Sequence, residues 1–185
     1  MKIWEEQVKN TVYHELGHWI ASKQLGYQCQ GIKLVLGNDG NRCYLTEAHA
    51  HTLYHPSLRT FDDIHKYLSE RAVIGLSGVS CQSILLDVDI EKAIKEYGSG
   101  DLEKAMELSL IYRGMKYPED QSEVTEKIQR NEFIMDAFAK SRNIIIYNKQ
   151  RIISMSDDII SMISTGDITY MFDITQLNQL YSRAR

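Results

Sequence analysis

Two histidines four residues apart with a glutamate beside the first, His14-Glu15-Leu16-Gly17-His18, are the residues of this chain whose types and spacing most directly suggest chemistry. On a helix, positions i and i+4 project from one face. Both imidazoles then reach one metal ion, and Glu15 lies beside them without binding it. A zinc ion held there lowers the pKa of a bound water to about 7 and so supplies hydroxide at neutral pH. Glu15 is placed to act as general base, taking a proton as the water attacks a carbonyl and later passing it to a leaving amine. The chemistry expected is amide hydrolysis. The bland alternative is two histidines decorating a helix beside a surface carboxylate, and the helical setting of the motif weighs against it.

An open catalytic zinc site takes three protein ligands, so a further donor must come from elsewhere in the chain. The carboxylates at Glu70, Asp87, Glu91, Glu96, Asp101 and Glu103 are all candidates on residue type alone. The elements that carry them are legible from hydrophobic periodicity. Trp4, Val8, Val12, Leu16, Trp19 and Ile20 recur at helical spacing and predict a first helix that Gly26 ends. Gly31 to Gly37 and Arg42 to Thr46 flank Asn38-Asp39-Gly40, a turn signal between two β-prone runs that predicts a short hairpin. The segment His49 to Pro56 reads as loop.

Thr60 followed by Asp63 has the form of a capping box and predicts a helix running to about Leu86. Within it, Gly75, Ser77, Gly78, Ser80 and Cys81 make a small-residue surface suited to close approach of another helix. Gly98-Ser-Gly breaks the chain before a helix from Asp101 to about Gly114. One long helix, or two in line, is predicted from about Glu123 to Ile163, and a short one near Ile174 to Tyr181 follows Thr165-Gly-Asp. The fold class expected is mainly α with a small β-hairpin, in a single domain over residues 1–185.

Taken together, these segments resemble the peptidase domain of the FtsH family, the membrane-anchored AAA+ zinc proteases. Val12 to Ala21 is similar to that family's catalytic helix, and the hairpin Gly31 to Thr46 stands where its substrate-side strands occur. Ala72 to Leu86 is similar to its small-residue helix, Gly98 to Ala105 to the segment that carries its aspartate ligand, and Ala137 to Lys149 to its long C-terminal helix. The resemblance implies that Asp101 is the third zinc ligand, with Glu103 in reserve. Arg42 to Glu47 reads either as an exposed edge strand or as a paired, purely structural one, and the resemblance favours a substrate role in which Arg42, Cys43, Tyr44, Leu45 and Thr46 pair with an extended peptide through its backbone.

The departures from the family pattern carry information too. Where the family has a glycine pair followed by Arg, two Ala and Glu, this chain has Ser77-Gly-Val-Ser-Cys-Gln82, without the acidic residue. The sequence holds no G-x-x-x-x-G-K-[ST] phosphate loop and no membrane-spanning run before the catalytic helix. A stand-alone endopeptidase is therefore expected, acting on exposed protein or peptide segments, alone, as a homo-oligomer or with a separate unfoldase. The rival expectation is a zinc-binding interaction protein that docks onto an FtsH-type protease or another partner.

Composition limits the other classes. A net charge of -4 with scattered Lys and Arg gives no electrostatic footprint for nucleic acid. Three cysteines, Cys29, Cys43 and Cys81, at irregular spacing suit reduced thiols and a cytoplasmic location, although Cys29 and Cys43 are near enough in sequence to meet across the hairpin. His49, His51 and His55 cluster in the segment after the hairpin and are the candidates for a second metal site. The basic residues Lys140, Arg142, Lys149 and Arg151 read as a solvated helix face.

Overall fold

A computed structural model of the chain describes residues 3–38, 43–164 and 168–184. Helix α1 (Ile3–Gln24) leads into strands β1 (Gln28–Asn38) and β2 (Cys43–Leu53). Then come α2 (Phe61–Leu86), the single turn α3 (Ile90–Ala93), a π-helical turn (Ile94–Gly98) and α4 (Ser99–Lys116). The chain continues through α5 (Glu123–Tyr147), α6 (Lys149–Ser161), β3 (Ile168–Phe172) and α7 (Ile174–Arg183). The mainly helical expectation holds at this level.

Local chemistry accounts for the helix ends. Thr60 and Asp63 form the capping box expected at the start of α2, each side chain accepting from the other's backbone N–H. Asp173 and Gln176 do the same for α7. Past α1, Gly26 takes a φ of 81°, a left-handed turn that glycine enters without Cβ strain. The long helical stretch predicted toward Ile163 is two helices divided at Asn148. This side chain is buried, and its amide donates to the Ile144 carbonyl at 2.8 Å.

The sheet is larger than the sequence suggested. Its order is β2-β1-β3, both pairings antiparallel, so β1 is central and β3 is a strand that the hydrophobic pattern did not announce. Five residues with an exposed Ile168 and Met171 carry too short an alternation to stand out, and pairing with β1 is what makes them a strand. Strand β2 also runs on to Leu53, taking His49 and His51 out of the expected loop. The turn residues Asp39 to Arg42 and the segment Thr165 to Asp167 lie outside the described residues.

Register separates the two hairpin cysteines. Cys29 stands opposite Thr52 at one end of the β1–β2 ladder and Cys43 opposite Asn38 at the other, so the hairpin does not bring them together. Cys29 is buried with its thiol pushed up to about 11, chiefly by burial, and Cys81 is wholly buried in α2 with its thiol pushed up as well.

Two apolar clusters hold the elements. In the larger, Leu16, Trp19 and Ile20 of α1 pack with Ile32, Leu34 and Leu36 of β1, Ile152, Met155 and Ile159 of α6, and Leu177 of α7. The smaller joins Leu68, Ala72, Val73 and Leu76 of α2 to Ala105 of α4 and to Phe133 and Ala137 of α5. Fully buried side chains of this size contribute about 1.5–3 kcal/mol each. Helix α1 thus has its apolar side fixed against the sheet and α6, and it turns its histidine side toward α2 and α4.

Candidate metal centre

The crossing of α1 with α2 decides where the histidines go. Gly17, inside the H-E-x-x-H motif, lies against the Ser77 carbonyl and the Cys81 side chain so closely that a Cβ there would collide with both. Gly78 is the counterpart on α2. A Cβ on it would stand 2.6 Å from His18 Nε2 and 2.7 Å from His14 Cε1. The small-residue surface read from the sequence is therefore the floor on which the two imidazoles rest.

His14 and His18 turn their Nε2 atoms to one point, 2.9 Å apart. Asp101 reaches the same point from the first turn of α4, its Oδ2 lying 3.0 Å from His14 Nε2 and 3.3 Å from His18 Nε2. Among the described residues this is the one group of three His, Cys, Asp or Glu side chains that converge closely enough to hold a metal ion. Glu103 is exposed and is not part of it, and neither are Glu70, Asp87, Glu91 or Glu96. The π-helical turn just before α4 carries Tyr97 into the same cleft, where its hydroxyl is 3.5 Å from Asn10 Nδ2.

The far sides of both rings are occupied. The Ile74 carbonyl accepts from His18 Nδ1–H at 2.8 Å. Gln82 donates its amide to the Asn10 carbonyl at 3.0 Å, which turns its Oε1 to His14 Nδ1, also at 3.0 Å. Each imidazole thus keeps a proton on Nδ1 and directs Nε2 inward. The carbonyl oxygen of Gln82 serves His14 as an orienting acceptor. Residue type concealed this role, because an amide is a less obvious histidine partner than a carboxylate.

Two inward nitrogens and a carboxylate oxygen at one point require a positive charge between them. Burial would lower the His18 pKa, but the hydrogen bond and charge of Asp101, the charge of Glu15 and the Ile74 carbonyl outweigh it and raise the pKa to about 9. Burial would likewise raise Asp101, and the two histidines instead hold its carboxyl well below the usual carboxylate range. A divalent cation that accepts nitrogen and oxygen donors fits the same place, and the donor set N2O is the open zinc type.

The point lies in a cleft of about 550 Å³ between α1, α2, α4 and β2. Glu15 lines it beside His14, only 5% exposed and outside the three converging donors. One wall is β2, with Leu45, Thr46, Glu47, Ala48, His49 and Ala50 on the cleft. Strand β2 pairs with β1 alone among the described strands, so its other edge is free. Of the residues expected on the substrate strand, Leu45 and Thr46 line the cleft, Tyr44 stacks over Gly37, Cys43 begins the strand, and Arg42 lies outside the described residues.

His49 and His51 alternate on the exposed side of β2 with ring centroids 6.5 Å apart, and His49 pairs with Glu47 at 3.4 Å. They form no second three-donor group with His55 among the described residues. No helix among the described residues is long and apolar enough to cross a membrane. No family model matches the sequence, and no curated protein matches it.

Proposed function

We propose that this chain is a zinc-dependent endopeptidase with an FtsH-like peptidase fold, in which His14, His18 and Asp101 hold the metal and Glu15 is the general base. The observation that carries the reading is the convergence of an aspartate from α4 on the two histidines of an H-E-x-x-H helix, with both imidazole protons held on the far side by acceptors. When bound, zinc supplies Lewis-acid charge and a water acidic enough to ionise near neutral pH. Glu15, buried in the cleft wall, takes the proton from the attacking water and hands it to the leaving amine. Gln82 and the Ile74 carbonyl keep the rings in one tautomer through the cycle. The free edge of β2 holds an extended segment by backbone hydrogen bonds, which places its carbonyls along the cleft. Substrates are flexible or exposed protein segments, presented directly or by a separate unfoldase.

The test is metal content combined with proteolysis. Purified chain is expected to hold one zinc and to cleave an unfolded test protein in a reaction that a chelator stops and zinc restores. Glu15→Gln keeps the side chain's size and removes its basicity. Activity should fall by about 10² or more with zinc content unchanged. Wild-type rates in Glu15→Gln would rule out the mechanism. Zinc-loaded protein that cleaves nothing across a broad peptide library would favour a docking role instead.

A further inference from the structure

Two cations line the cleft without a role in the hydrolytic chemistry, and of these Lys104 is exposed while Arg71 is half-buried. Arg71 lines the cleft from α2, with its guanidinium stacked 4.3 Å from the Tyr54 ring centroid and Nη1 donating to the Tyr67 hydroxyl at 3.0 Å. Among the described residues it forms no ion pair. The nearest carboxylate in sequence, Glu70, instead accepts from the Tyr27 hydroxyl at 2.8 Å and pairs with Lys66. Glu47, on the opposite wall, is taken by Lys33 at 2.9 Å. A half-buried guanidinium braced by two tyrosines, with most of its five N–H donors unspent, is preorganised for a carboxylate.

Its position along the cleft follows from the helix contacts. His14 meets Gln82 and His18 meets Ile74, so lower numbers on α2 lie toward the C-terminal end of α1. Arg71 is one turn before Ile74 and therefore sits past His18. There Ser22 of α1 touches Thr52 of β2 at 2.7 Å, and Tyr54 follows the strand's end. From Gly78, beneath the imidazoles, to Arg71 is seven residues, about 10 Å along the helix. An extended peptide covers that distance in about three residues.

We infer that Arg71, braced by Tyr54 and Tyr67, is a subsite for a substrate carboxylate about three residues from the bond cleaved, which makes peptides with a carboxylate at that place the preferred class. This deepens the hydrolytic reading of the same cleft and rests on it. The carboxylate has two sources, an acidic side chain or a free C-terminus, and the chemistry of recognition is shared.

Three labelled peptide pools separate them: acetylated and amidated peptides with one Glu, the same peptides with Gln in its place, and Gln peptides ending in a free carboxylate. Binding is read by fluorescence anisotropy on zinc-loaded Glu15→Gln protein, and cleavage on wild type. The Glu pool, the free-carboxylate pool or both should bind about tenfold or more tighter than the blocked Gln pool, as expected for a charge-assisted contact. Arg71→Gln should reduce that ratio to about twofold or less, and Arg71→Lys, which keeps charge and loses the planar fork, should lie between. The wild-type comparison needs no variant, so it stands even if Arg71→Gln folds poorly. Equal binding of all three pools, no binding of any, or a preference that survives in folded Arg71→Gln would overturn the inference. Arg71-dependent binding without wild-type cleavage would sink the hydrolytic reading and leave the carboxylate subsite in place.

Discussion

Gln82 shows how much of a candidate metal centre lies outside the three donors that converge in it. Its two hydrogen bonds run from the Asn10 carbonyl through the amide to His14 Nδ1, so a backbone group of α1 sets the tautomer of a histidine on the same helix. Outer-shell partners of this kind are worth about 10- to 100-fold in metal affinity. Gln82→Ala is therefore expected to weaken zinc binding by that factor, measured by competition with a chromophoric chelator. Asp101→Ala should weaken it further, because it removes the anionic donor itself. Glu103→Ala, on the exposed side of α4, should leave affinity within about twofold. A larger loss at Glu103 than at Asp101 would move the third ligand to the neighbouring face of α4.

Close helix crossing is what brings those residues together. Gly78→Ala puts a methyl 2.6 Å from His18 Nε2, so the rings must tilt or α1 must withdraw from α2, and zinc affinity should drop even though alanine is the better helix former. Gly114, also helical but with nothing within 4 Å of where a Cβ would stand, is the contrasting site. Gly114→Ala should stabilise by about 0.5–1 kcal/mol in denaturant unfolding without touching metal binding. The α2–α4 contact carries a pH signature as well. His65 of α2 stacks on Tyr112 of α4 at 3.9 Å, and its Nε2 is buried without a hydrogen-bond partner. Burial, with Lys116 and Lys140 nearby, lowers its pKa, and Asp62 opposes them only in part. The unfolded chain then binds this proton more readily than the folded one. Its contribution to stability is present above about pH 6.5 and is lost as pH falls toward the folded value. Thermal unfolding of the metal-free protein between pH 7 and 5 should show a smaller loss in His65→Phe than in wild type. An equal loss would place the sensitivity elsewhere.

For the whole molecule, the cluster of His14, His18 and Asp101 ties α1, which is anchored in the larger apolar cluster, to α4, which belongs to the smaller one. Zinc at about 100 times its Kd should add about 2.7 kcal/mol to folding stability, a rise of about 5–10 °C in Tm for a domain of this size. Chelator should reverse the rise, and Asp101→Ala should abolish most of it. No zinc-dependent shift in wild type would count against the tie between the clusters. By itself, the sequence determined the first helix, its stop at Gly26, the capped α2, the helical class and the pair His14 and His18, because each depends on contacts within a few residues along the chain. It did not determine β3, the extension of β2 to Leu53, the places of Gln82 and Arg71 beside the cleft, or which of six carboxylates joins the histidines. Those are contacts between residues far apart in the chain, or between a strand and a partner that local propensity does not name. Resemblance pointed to Asp101, but only the crossing of α1 with α2 at Gly17 and Gly78, with α4 packed alongside, brings its carboxylate within 3.3 Å of both imidazoles.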